Sequence, residues 1–118
     1  MGRSDALCGL VQEWAEYLEG RGHEVRVPES LGNVLLSRNG RGKRYRWLLL
    51  HEAGPSRRLT PAERETVERQ TRLARKAREQ AYLVLKFERP EGKVVVLPMG
   101  RAISEHRLSS DKGGIPWD

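Results

Sequence analysis

At 118 residues, with a 37% apolar share before its 12 glycines are counted, the chain is long and apolar enough for one folded domain and is neither disordered nor two-domained. A single cysteine excludes an internal disulfide. No apolar run approaches a membrane span or follows a basic leader, so a soluble, unexported, cytoplasmic protein is expected. The net charge of +6 comes from 17 Arg and 5 Lys against 16 acidic residues. Arginine grips phosphate with two bonds and stacks on bases, so the balance points to nucleic acid, although an Arg-favouring genome would give the same bias.

Leu7, Leu10, Val11, Trp14 and Leu18 recur at three- and four-residue spacing behind a cap at Asp5 or Ser4. They predict a first helix that Gly20 and Gly22 end. Cys8 falls in that pattern and reads as a small buried hydrophobe rather than a nucleophile. His23 to Val27 alternates as a half-buried strand closed by Pro28. Asn33 to Arg38 is a second strand, and Asn39-Gly40 a hairpin turn extended by Arg41-Gly42-Lys43. Arg44 to Glu52 is a third strand, buried on both faces at Leu48-Leu49-Leu50.

After the Gly54-Pro55-Ser56 break, Thr60-Pro61-Ala62-Glu63 is a complete helix start, with Thr60 as cap and Glu63 closing a capping box. The helix should run to about Gln80 on a thin apolar stripe of Val67, Ala74, Ala77, Ala81 and Leu73. Ala81 to Glu88 and Lys93 to Pro98 are two more strands joined by a turn from Arg89 to Gly92, and a short helix over Ala102–Leu108 follows. Residues 1–108 are expected to form the domain. Residues 109–118 read as an irregular tail with Gly113, Gly114 and Pro116. Its Trp117 could cover the sheet edge, fill a neighbour's pocket or mark a partner site.

The order helix, three strands, long helix, two strands resembles the core of the PD-(D/E)XK nuclease superfamily, which includes restriction enzymes and Holliday-junction resolvases. The resemblance spans roughly residues 6 to 98. It rests on Gly32-Asn33-Val34-Leu35-Leu36, similar to the family's second strand, and on Leu59-Thr60-Pro61-Ala62-Glu63, similar to the stretch opening its next helix. It implies an α/β, three-layer, restriction-endonuclease-like fold of order αβββαββ(α), a mixed sheet flanked by helices. It also implies a DNA partner in preference to RNA.

Such a nuclease needs two carboxylates on Mg²⁺, which activates water, and a nearby lysine. Here Asn33 stands where the family has aspartate, and a neutral amide offers an oxygen without charge. On the third strand the Glu-x-Lys positions fall on Leu50–Glu52 or His51–Ala53, and neither register has the pair. The resemblance thus implies a degenerate site and no cofactor. Migrated ligands are the alternative: Glu52 as a metal ligand, His51 as a second ligand or base, Arg57 or Arg58 as the cation, and Glu13, Glu16 or Glu63 as a further acid. His51 and Glu52 would otherwise simply end a strand at the solvent edge.

Two basic clusters are candidate phosphate contacts. Arg38, Arg41, Lys43, Arg44 and Arg46 span the hairpin. Arg69, Arg72 and Lys76 share one face of the long helix by spacing. Both also read as solvated surface, with Glu65–Arg69 and Glu68–Arg72 as four-residue pairs. Tyr45 could stack a base, whereas Trp47 reads as core. No phosphate-binding glycine loop, zinc cluster or nucleophile elbow occurs, and His23, His51 and His106 have no ligand spacing. The expected function is nucleic-acid binding without cutting. A Mg²⁺-dependent endonuclease and a module for an acidic protein partner are the alternatives, and a homodimer is compatible with each.

Overall fold

Asn39 sets the first tight turn. Its side-chain oxygen accepts the backbone N–H groups of Arg41 and Lys43, each at 2.9 Å, and Gly42 takes a left-handed φ of 84° that a side chain would resist. The turn joins β2 (Val34–Arg38) to β3 (Arg44–Glu52), with Val34 opposite Leu48 and Arg38 opposite Arg44. This computed structural model describes residues 5–28, 33–54, 56–89, 92–105 and 107–109. The expected cap at Ser4, Gly32, His106 and the tail from 110 onward, Trp117 included, lie outside the described residues, as does part of the Arg89–Gly92 turn.

β1 (Glu24–Arg26) lies antiparallel on β2. β5 (Gln80–Phe87) runs parallel to β3, and β6 (Lys93–Pro98) antiparallel to β5. The sheet order is therefore β1-β2-β3-β5-β6. A parallel pair needs a crossover, and α2 (Pro61–Ala77) supplies it across one sheet face. α1 (Asp5–Gly20) covers the other face. α3 (Met99–Ser104) packs beside α2. The architecture is the expected α/β mixed sheet between helices.

Strand alternation divides the core in two. Trp47, Leu49, Leu35 and Val84 face α1 and pack on Leu10, Trp14 and Leu18. Leu48, Val34, Leu83 and Leu85 face α2 and pack on Val67 and Met99. On the α1 side the Ser37 hydroxyl accepts the Trp47 indole N–H at 2.8 Å and lies 3.0 Å from His23 Nδ1.

Several expectations change. Cys8 is exposed, because it sits about 100° round the helix from the stripe through Leu7, Leu10, Val11, Trp14 and Leu18. The long helix ends at Ala77, where Arg78 turns the chain at φ 58°, and Gln80 already belongs to β5. Leu73 is exposed, and the buried stripe is completed by Gln70 instead. The short helix starts at Met99 and ends at Ser104. Beyond it Leu108 and Ser109 form β7 (Leu108–Ser109), which pairs with β4 (Ser56–Arg57). Ser109 is thus a strand residue, not the first of an irregular tail.

Candidate functional site

The parallel strands β3 and β5 end together, and the chain leaves β3 through a short loop to β4. Glu52, the last residue of β3, folds one carboxylate oxygen back onto the Gly54 N–H at 3.0 Å. Its other oxygen lies 3.6 Å from the Arg57 guanidinium. β4 carries Arg57, and its pairing with β7 fixes that backbone. The same guanidinium donates to Glu63 in the first turn of α2. Glu63 is held in turn by the capping box, accepting the Thr60 N–H at 2.9 Å while Thr60 accepts the Glu63 N–H at 3.1 Å. One arginine therefore ties two carboxylates from two elements. Its side chain is only 15% exposed and theirs 25%.

Beside this network lies a small hollow of about 130 Å³ lined by Asn33, Leu48, Leu50, Ala62, Glu63 and Thr66. Asn33 spends its amide on the Leu49 carbonyl at 3.4 Å. Leu50 packs on the α2-side core. His51, one residue before Glu52, points to the opposite sheet face. There its Nε2 lies 2.6 Å from a carboxylate oxygen of Glu88, and this hydrogen bond holds the Glu88 carboxyl below the usual range. Next to it Lys86 donates to Glu13 of α1 at 2.9 Å. Of the migrated-ligand candidates, Glu52, Arg57 and Glu63 come together, while His51 and Glu13 sit on the other face.

These residues do not suit Mg²⁺. A hard cation wants several anionic or carbonyl oxygens, and both carboxylates here already engage the Arg57 guanidinium. Asn33 brings no charge and Leu50 no oxygen. Among the described residues, no three His, Cys, Asp or Glu side chains converge on a point.

The hairpin cations Arg38, Arg41, Lys43 and Arg44 are all exposed, as are Arg69, Arg72 and Lys76 on the outer face of α2. Arg38 pairs with Glu24 at 3.1 Å and Arg69 with Glu65 at 3.8 Å, whereas the expected Glu68–Arg72 pair does not form. Arg46 differs from its neighbours. It reaches under α2 to Glu79 and Gln70, each at 2.7 Å, and serves packing. Sequence spacing gave no sign of this bond, because its partners lie 33 and 24 residues away. Tyr45 is only 6% exposed, so it has no free ring face for a base; Trp47 is buried, as expected. Among the described residues, no helix is long and apolar enough to cross a membrane.

The mixed sheet with its β3–α2–β5 crossover and α1 on the reverse face is a restriction-endonuclease-like fold. Among solved structures it is similar to Hjc, a Holliday junction resolvase from the archaeal hyperthermophile Archaeoglobus fulgidus. The TM-score is 0.56 at 18% identity, covering 83% of this chain and 77% of that one. At that identity the likeness carries the fold alone. No family model and no curated protein matches the chain.

Proposed function

We propose that this chain binds nucleic acid, DNA in preference to RNA, through a nuclease-like core that does not cut it. The observation that carries the reading is Arg57. It lies between Glu52 and Glu63, the two acids of the migrated-ligand alternative, and engages both beside the end of β3. Asn33 and Leu50 complete a degenerate site: one is neutral and the other apolar. Cations are left exposed elsewhere, and Arg72, Lys76 and Arg44 have no ionic partner among the described residues. Their charge suits a phosphate backbone. The similar fold of a Holliday junction resolvase favours DNA, branched DNA included.

The test is the salt dependence of binding. Changing Arg41, Lys43 and Arg44 together to Ala should weaken binding across sequences and flatten the log–log salt slope by about 0.9 per lost duplex contact. An unchanged slope would reject the hairpin as a contact surface. Absence of any affinity for duplex, single-stranded or branched DNA, or RNA, at low salt would favour an acidic protein partner instead.

A further inference from the structure

α2 lies over β3 and β5 and leaves β1 and β2 open on its side of the sheet, while α1 covers their reverse face. The open face is concave. It forms a hollow of about 310 Å³ lined by Glu24, Arg26, Leu36, Arg38, Arg44 and Glu79, with Val25 and Ser37 at its margin. Strand parity explains the lining. Glu24 and Arg26 stand opposite Arg38 and Leu36, and Arg38 stands opposite Arg44, so all five project from one face.

The charges there do not cancel. Glu79 is taken by Arg46 and Glu24 by Arg38. Arg26 and Arg44 are exposed and have no partner among the described residues. They flank β2 on opposite sides and diagonally, Arg26 level with Leu36 and Arg44 with Arg38, so their backbones are about 12 Å apart across two strand spacings and two residues along the strand. Between them Leu36 offers a half-buried apolar floor. The Glu24–Arg38 pair is wet, with side chains 80% and 56% exposed, so a phosphate can compete for Arg38 at small cost.

We infer that this open face is a binding site for the backbone of a nucleic-acid strand, with Arg26 and Arg44 contacting phosphates on either side of β2 and Leu36 under a sugar. The inference rests on the nucleic-acid reading above and adds to it a site that the sequence did not mark. Arg26 sits on a three-residue strand, isolated in sequence from both basic clusters.

The test compares three proteins: wild type, Arg26→Ala, and Lys93→Ala. Lys93 lies on β6, the far edge strand, and supplies the same loss of one exposed charge. Labelled single-stranded DNA, its duplex and a four-way junction are titrated by anisotropy over a salt series. Arg26→Ala should lower the slope by about 0.9 on duplex and about 0.7 on single strands, a loss of about fivefold in affinity at physiological salt. Lys93→Ala should change neither, and Arg26→Lys should recover most of the loss. If the wild type binds and Arg26→Ala behaves as Lys93→Ala does, the site is overturned and the binding function stands. If the wild type binds no nucleic acid but does bind polyglutamate, the face belongs to an acidic protein and both readings fall. Arg26 is exposed, so all variants should melt at the wild-type temperature.

Discussion

Replacing Arg57 by Gln removes the one cation shared by Glu52 and Glu63. Pairs on open surface are worth about 0.2–1 kcal/mol, and breaking a fully buried pair costs about 3–5 kcal/mol. Here the guanidinium is 15% exposed and each carboxylate 25%, so the site lies between these limits. Two half-buried carboxylates are left without their cation, which raises the cost, and residual solvent screening lowers it. A loss of about 2 kcal/mol is expected, or roughly 8 °C in Tm for a domain of this size. Thermal unfolding followed by circular dichroism measures it. The cause can be isolated with Glu63→Gln, which keeps an oxygen for the Thr60 N–H and so retains the capping box. In the Arg57→Gln background, that change or Glu52→Gln should recover part of the lost stability, because an unpaired carboxylate is removed. An Arg57→Gln protein as stable as wild type would show that the arginine does not hold this half-buried acid pair together.

Other consequences follow from the α1 side of the sheet. Burial, with a smaller contribution from the Arg21 charge, lowers the His23 pKa from its ordinary 6.5. Unfolded chains therefore take up the proton more readily, so stability should be full above pH 6.5 and fall as pH drops below it; His23→Gln should flatten urea-melt midpoints across that window. Ser37→Ala removes the oxygen shared by Trp47 and His23 and should cost about 1–2 kcal/mol by the same melts. Glu88 gives an exposed contrast: its lowered carboxyl contributes stability above its ordinary 4.5 that is lost as pH falls, and His51→Ala should raise its titration midpoint by NMR.

The readable parts of the sequence were those with local chemistry. Thr60, Pro61 and Glu63 specify a helix start within four residues, and both halves of the capping box form. Asn39 and Gly42 specify the hairpin, and the run from Tyr45 to Leu50 specifies a strand with two buried faces. What escaped depended on distant partners. β4 and β7 are two residues each, too short for any period, and they meet only across half the chain. α2 stops on Arg78 in a left-handed conformation that glycine or asparagine would have announced. Gln70 is buried and accepts a bond from Arg46 of the sheet, whereas Leu73 is exposed. At the site, Glu52, Arg57 and Glu63 were each recognisable as candidates. Their union around one guanidinium was not, because it depends on the loop that brings β4 back under α2. His51 and Glu52 were separated by strand parity alone.

The central claim, binding without cutting, is met most directly by one reaction read twice. End-labelled four-way-junction and duplex DNA are incubated with purified protein in Mg²⁺ or Mn²⁺ at low salt, then divided between a native and a denaturing gel. A binder that does not cut gives a retarded complex on the native gel that weakens steeply with added salt, and full-length strands on the denaturing gel. Metal-dependent cleavage that persists through repurification and disappears in Glu52→Gln would contradict it, since Glu52 would then be acting free of Arg57.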